Sequence, residues 1–240
     1  MTRLRIIDFF ARTGHKCASS GKESDVSEGD QELRGLMVRY QGGSLEAFQE
    51  IYARLAPSVR RYLSHLANNS EIADDLLQET FFQMHRSRAA YNRAYAVRPW
   101  VFGLARNVFL MNRRAARQWA KLHESREELP ELAVLPEADR LGSRDEIRRC
   151  IADLPPVQAE ALLLRHEWGF SFEEIAGMVG ITAAAARARA SRGMADLRVA
   201  LNNLQSAQAA RSGSHGANKP ADLSPARESV VRKLLKRARA

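Results

Sequence analysis

Three groups of side chains in this sequence have types and spacings that bear on chemistry. The first is acidic. Asp74, Asp75 and Glu79 stand within six residues, with Gln78 among them and His85 six residues on. Carboxylates at i and i+4 share one face of a helix, so one reading is a metal-binding pair serving hydrolysis. That chemistry needs a third and fourth ligand at suitable spacing, and the sequence offers none. A solvated acidic face is the competing reading. The second group is aromatic and basic. From Arg98 to Trp119 the chain interleaves Trp100, Phe102 and Phe109 with Arg106, Arg113, Arg114 and Arg117. Such a mixture tracks phosphates and stacks unpaired bases, whereas the ordinary use of Trp100, Phe102 and Leu104 is a core. The third group is Arg187, Arg189 and Arg192, with Arg198 further on. A guanidinium fork binds phosphate, or guanine O6 and N7 in bidentate fashion.

The elements that must position these groups are helical, and no segment alternates with the period of a strand. Apolar spacing predicts helices over about 31–41, 44–67, 70–88, 97–118, 143–153, 156–167, 171–178 and 182–201. Ser143 with Glu146, and Ser171 with Glu174, form capping boxes, and Pro156 suits a first helical turn. Ser44, Ser70 and Thr182 are the expected N-caps. In the third segment Ile72, Ala73, Leu76, Leu77, Phe81 and Met84 make the apolar stripe, leaving Asp75, Gln78, Glu79 and Phe82 mostly off it. Residues 171–192 read as helix, tight turn, helix. Ile175, Ala176 and Val179 give the first helix an apolar face, Gly180 permits the turn, Ile181 plugs it, and the second helix begins near Thr182. This is helix-turn-helix geometry, in which the second helix enters the major groove. An ordinary helical hairpin with a solvated arginine face is the alternative.

Charge divides the chain. Of 240 residues, 37 are Lys or Arg and 28 are Asp or Glu, a formal net charge of +9. Residues 1–120 carry 18 basic and 12 acidic side chains, residues 121–160 carry 6 and 10, and residues 161–240 carry 13 and 6. Two basic blocks are thus separated by an acidic one. Residues 124–139 hold two prolines and six carboxylates without helical periodicity, and read as a linker. Its length argues against a loop within one domain. The 45% apolar composition is that of a globular protein. No apolar run is long enough to cross a membrane as a helix, and no membrane insertion is expected. Cys17 and Cys150 cannot build a disulfide framework. The apolar run from Leu4 to Phe10 is broken by Arg5 and Asp8, with no clean cleavage site, so the expected location is cytoplasmic. Residues 13–30 and 205–224 are small and polar and read as mobile. Residues 226–240 have the pattern of a basic amphipathic helix.

Asp74-Asp75-Leu-Leu-Gln-Glu-Thr-Phe81, followed by Arg98-Pro-Trp-Val-Phe-Gly-Leu-Ala-Arg-Asn107, resembles region 2 of the extracytoplasmic-function (ECF) sigma factors of the sigma-70 family. Leu154-Pro-Pro-Val-Gln-Ala-Glu-Ala-Leu-Leu-Leu-Arg165, with the helix-turn-helix after it, resembles their region 4. The resemblance covers roughly residues 33–118 and 143–201. It implies an all-α fold of two small helical domains joined by a flexible acidic linker. The expected layout is an amino-terminal extension over 1–30, region 2 over 31–120, the linker over 121–142, region 4 over 143–203 and a basic tail over 204–240. The implied function is that of a dissociable subunit of bacterial RNA polymerase that directs promoter recognition and initiation, not an enzyme in itself, with no metal or cofactor. Its implied partners are core polymerase, through the clamp helices of the largest subunit and the flap of the second-largest, promoter DNA, and an anti-sigma factor.

By the same resemblance Asp75, Gln78 and Glu79 match the core-docking positions. Arg98, Trp100, Arg106, Asn107, Arg113 and Arg114, with the loop from Ser87 to Val97, match the surface that captures the −10 element. Thr182, Arg187, Ala188, Arg189, Ser191 and Arg192 match the surface that meets the −35 element. The chain departs from the family where Gly-Thr-Val-Lys-Ser-Arg is common, having Ala184-Ala-Ala-Arg-Ala-Arg189, and it has Ser191 where a His or aromatic often stands. Short side chains make few base-edge bonds, so phosphate contact and DNA shape are expected to dominate there. Two readings compete. A helix-turn-helix regulator acting without polymerase leaves Asp74 to Asn107 unexplained, and a nuclease using Asp74, Asp75 and Glu79 lacks further ligands.

Overall fold

A computed structural model of the chain describes residues 28–122 and 143–212. They form two compact units that part in the stretch 123–142, except that Gly177–Gly180 group with the first. The expected linker core, the amino-terminal extension up to residue 27 and the tail beyond 212 lie outside the described residues. So do Cys17 and the basic helix expected over 226–240.

The first unit contains α1 (Glu28–Gln41), α2 (Leu45–Ala67), α3 (Ser70–Ser87), a short 3-10 turn (Arg88–Ala90) and α4 (Val97–Leu122). Each helix presents apolar residues at helical spacing to a common core. Leu33, Met37 and Tyr40 come from α1, and Ile51, Leu55, Val59 and Leu63 from α2. Ala73, Leu77 and Met84 come from α3, and Val101, Phe102, Ala105 and Val108 from α4. The Tyr62 and Phe102 rings meet at 5.2 Å between centroids. Burying a side chain of this size contributes about 1.5–3 kcal/mol.

The junction of α2 and α3 shows two neighbouring asparagines with opposite tasks. Asn68 takes left-handed backbone geometry, φ 50°, and its N–H donates to the Ser64 carbonyl, ending α2. Asn69 then accepts from the N–H groups of Glu71 and Ile72 through Oδ1, starting α3. The expected cap Ser70 is instead the first residue of the helix. The longer Asn69 side chain reaches two orphan donors at once, and so takes the place of the serine hydroxyl. Ser44 caps α2 as expected, accepting from Ala47 N–H at 3.2 Å.

The second unit contains α5 (Ser143–Ala152), α6 (Pro156–His166), α7 (Phe172–Val179) and α8 (Ala183–Ser212). Pro156 opens α6, its missing N–H costing nothing in a first turn. Ala186, Ala190, Met194 and Leu197 form the buried face of α8, and the helix lies close on α6. At Gly193 the approach is tightest: a Cβ there would stand 3.0 Å from the Gln158 carbonyl oxygen. Cys150 is buried on α5, and burial above all pushes its thiol pKa up, with Asp153 and Glu146 adding to the shift.

Three helices run past their expected ends, among them α4, which continues from residue 118 to Leu122. The α1 helix begins at Glu28, inside the segment expected to be mobile, and α8 continues beyond residue 201 to Ser212. The run Asn203-Leu-Gln-Ser-Ala-Gln-Ala-Ala210 looks like polar linker by composition. It contains no Gly or Pro to stop a helix already nucleated, and its Ala and Gln propagate one well. No helix among the described residues is long and apolar enough to cross a membrane.

Candidate functional surfaces

The acidic surface lies on α3. Its buried stripe runs through Ala73, Leu76, Leu77, Thr80, Phe81 and Met84. Thr80 sits in the core without penalty because its hydroxyl donates to the Leu76 carbonyl at 2.7 Å. Asp75, Gln78, Glu79 and Phe82 stand exposed on the opposite side, at i, i+3, i+4 and i+7. Ile72, expected in the core, is 42% exposed. At about 100° per residue it falls on the same stripe as Asp75, Glu79 and Phe82, off the line of Ala73, Leu77 and Met84. The acidic stripe is therefore flanked by two apolar side chains, Ile72 at one end and Phe82, 53% exposed, at the other. The Arg86 guanidinium lies 5.6 Å from the Phe82 ring centroid, and Gln83 donates to the Glu79 carboxylate.

Asp74 and Asp75 are adjacent yet separate in role. Arg60 of α2 grips Asp74 with a two-pronged fork, Nε to Oδ1 at 2.5 Å and Nη2 to Oδ2 at 2.8 Å. The hydrogen-bonded guanidinium holds the Asp74 carboxyl below the usual aspartate range. Asp74 thus ties α3 to α2, and only Asp75 joins Glu79 on the exposed face. Among the described residues no three His, Cys, Asp or Glu side chains converge as metal ligands would.

The second surface is built from the segment Ser87 to Val97 and from α4. Gln41, at the end of α1, donates through Nε2 to the carbonyls of Arg88 and Tyr91, at 2.9 and 3.0 Å. This fixes the entry to the segment. Tyr91 is buried, its hydroxyl donates to the Tyr95 carbonyl, and its ring lies 4.9 Å from that of Trp100. Asn92 accepts from Ala94 N–H at 2.9 Å, an Asx turn. Tyr95 points outward, 44% exposed.

On α4, Trp100, Asn107 and Arg114 recur every seven residues and so share one face. Arg106 and Arg113, also seven apart, lie beside that line. Trp100, Asn107 and Arg114 lie away from the buried Val101, Phe102, Ala105, Val108 and Phe109, whereas Arg113 reaches back so that its guanidinium lies 5.8 Å from the Phe109 ring centroid. Arg113 and Arg114 are exposed, whereas Trp100, Arg106 and Asn107 are half-buried. Arg98 does not join them. It sits at the edge of the buried stripe with its guanidinium 5.9 Å from the Phe102 ring centroid. From Met111 to Trp119 every residue is exposed, so the end of α4 projects past the core.

The third surface is the helix-turn-helix. The Ser171–Glu174 box forms in both directions: Ser171 N–H donates to the Glu174 carboxylate at 2.7 Å, and Glu174 N–H donates to the Ser171 hydroxyl at 3.1 Å. The Ser143 side chain of the other expected box lies outside those described. Gly180 takes φ 76°, which L side chains rarely adopt, and Ile181 N–H returns to the Ala176 carbonyl at 3.1 Å. Thr182 caps α8 by accepting from Ala185 N–H at 3.1 Å. On the exposed face of α8, Ala183, Ala184, Arg187, Ala188 and Ser191 line one shallow concavity. Arg192 is exposed on the flank of that face, and Arg189 is half-buried at its far edge.

Phe172 was not among the expected residues. Its ring carries two guanidinium groups, Arg165 from α6 at 4.9 Å and Arg187 from α8 at 5.0 Å. The sequence signal was present: an aromatic next to a cap box, at an odd position for the short apolar face of α7.

Comparison with known proteins identifies two family regions in the chain. Residues 51–119 match the family model of sigma-70 region 2, and residues 144–197 match that of sigma-70 region 4. The chain is 35% identical over 170 residues to the RNA polymerase sigma factor CarQ of Myxococcus xanthus, covering 70% of this chain and 97% of the relative. It is 29% identical over 199 residues to the ECF sigma factor SigE of Mycolicibacterium smegmatis, covering 78% and 76%. The fold is shared with the sigma factor RpoE of Bartonella quintana, solved with the anti-sigma factor NepR, at TM-score 0.57 and 21% identity over 66% of this chain and 98% of that one. It is shared also with CnrH, solved with the cytosolic domain of CnrY, at TM-score 0.53 and 21% identity over 71% and 97%. Members of the family are regulatory subunits, not enzymes. With both family regions present in order and a close full-length relative, the chain belongs to the sigma-70 family and is an ECF RNA polymerase sigma factor.

Proposed function

We propose a division of labour among the three surfaces. The stripe Asp75, Gln78 and Glu79 docks on the clamp helices of the largest polymerase subunit, with Ile72 and Phe82 as apolar flanks. The segment from Ser87 to Val97 and the α4 face of Trp100, Arg106, Asn107, Arg113 and Arg114 take the −10 element. An extruded base is held beside Asn107 while the arginines hold the strand backbone, so that capture offsets the stacking lost on melting. Arg98 supports this surface from its edge, its guanidinium lying over the ring of Phe102 one turn on in the same helix. The α8 face of Thr182, Arg187, Ala188, Ser191 and Arg192 meets the −35 element. Its small side chains leave phosphate contact and duplex shape as the main source of affinity. Arg189 lies at the margin of that face, and the second unit also docks on the flap of the second-largest subunit. The chain works in the cytoplasm, the polymerase supplies all the chemistry, and an anti-sigma factor holds the chain in reserve, a reading supported by the likeness to RpoE, solved in complex with the anti-sigma factor NepR.

The observation that carries this reading is the exposed acidic stripe on a chain of net charge +9. Asp74 is spent on Arg60, while Asp75 and Glu79 are left facing outward. A surface built only to attract nucleic acid would not keep them there. The test is transcription with core polymerase on promoters selected from a random pool. Glu79→Arg is expected to weaken core binding by about tenfold or more, as charge reversal at an interface does, while the full chain keeps its affinity for −35 duplex DNA. Equal loss of both would count against the assignment.

A further inference from the structure

We propose that Phe172 is a positioning residue for DNA binding, a platform that holds the Arg187 guanidinium at the rim of the α8 concavity. The inference rests on the reading of α8 as the DNA-facing helix and deepens it. Arginine has a long, flexible side chain, and ordering it on arrival of DNA costs conformational entropy. Here the ordering is done in advance. Three helices meet at one ring: Arg165 closes α6, Phe172 opens α7, and Arg187 stands one turn into α8. Both guanidinium carbons lie within 5.0 Å of the ring centroid. Arg165 is pinned further, its Nη1 donating to the Phe170 carbonyl at 3.0 Å.

The neighbours of Arg187 explain why it needs a platform. Ala183, Ala184, Ala188 and Ser191 line the same concavity and are too short to brace a long side chain. The ring supplies what they lack. Two cations on one ring also repel each other, and an approaching phosphodiester relieves that repulsion. The site thus favours a backbone phosphate over a base edge.

The experiment uses the full chain bound to core polymerase, with a fluorescent promoter duplex selected from a random pool by the wild-type holoenzyme. Phe172→Leu is expected to weaken binding about two- to fivefold, the loss of one exposed cation–π contact. Phe172→Tyr and Phe172→Trp keep the ring and are expected to stay near wild type. Arg187→Ala is expected to weaken binding and to flatten the salt dependence by about one phosphate contact. The double variant Phe172→Leu/Arg187→Ala is expected to bind no more weakly than Arg187→Ala alone. Full additivity, or Phe172→Leu binding like wild type while Arg187→Ala does not, overturns the positioning role. Arg187→Ala without effect overturns the underlying reading of α8 instead. Phe172→Met is the second variant if Phe172→Leu unfolds, judged by thermal melting.

Discussion

Glycine to alanine inside a helix is ordinarily stabilising, by roughly 0.5–1 kcal/mol, because alanine has less freedom to lose on folding. Gly193 should reverse that sign. It lies in the middle of α8, where a Cβ would stand 3.0 Å from the Gln158 carbonyl oxygen and 3.3 Å from its carbonyl carbon. Both are backbone atoms of the first turn of α6, so neither can swing aside as a side chain would. Relief requires α8 to shift away from α6, loosening the seam around Ala186, Ala190 and Leu197. Overpacking of this kind costs about 1–3 kcal/mol. Set against the helix gain, Gly193→Ala should destabilise the second unit by about 1 kcal/mol, lowering its melting temperature by roughly 4–8 °C. Gly35 in α1 is the control, since a Cβ there meets nothing within 4 Å. Gly35→Ala should raise stability. Chemical denaturation of the full chain, followed by circular dichroism, separates the two variants. Gly193→Ala stabilising the protein as Gly35→Ala does would refute the close seam between α6 and α8.

Two further outcomes follow from the first unit. Asn69→Ala should cost about 1 kcal/mol while Ser70→Ala changes little, because Asn69 is the residue that caps α3; equal effects in urea denaturation would show the cap misassigned. The folded Asp74 pKa is depressed by Arg60, so its contribution to stability is present above the ordinary aspartate value, 3.8, and is lost as pH falls through the folded value. The urea midpoints of wild type and Asp74→Asn should therefore converge in acid, and a gap independent of pH would speak against the pairing.

Much of this architecture is legible in the residues. The expected helices and the break points at 68–70, 153–156 and 180 coincide with observed elements because the signals there are local. Caps, glycine at positive φ and apolar periodicity all act within a few residues. The all-α fold with its two family regions follows from the same local signals in order. What was not legible depended on contacts distant in sequence or on small angular differences. Asp74 and Asp75 are identical in type, and only Arg60, fourteen residues upstream, separates them. Ile72 has the composition of a core residue, yet one step around the helix puts it on the exposed stripe. Arg98 and Arg113 read alike, and each rests its guanidinium on a buried ring, Phe102 and Phe109, but Arg113 is exposed where Arg98 is half-buried. Phe172 acquires its role from partners on two other helices. The extension of α8 to Ser212 escaped notice because composition describes an isolated segment, whereas a helix already nucleated needs only the absence of a stop.

That extension makes α8 a ruler. Thirty residues from Ala183 to Ser212 at 1.5 Å of rise give a rod about 45 Å long. Its first turns carry Arg187 and Ser191, and its far end is where the basic carboxyl-terminal segment attaches. The point of attachment is thus held about 32–38 Å along the axis from the proposed −35 face, about one turn of duplex DNA. Anything tethered there is held that far along the α8 axis from Arg187 and Ser191. Shortening α8 by whole turns would move that tether in steps of about 5.4 Å without touching the residues proposed to meet the promoter.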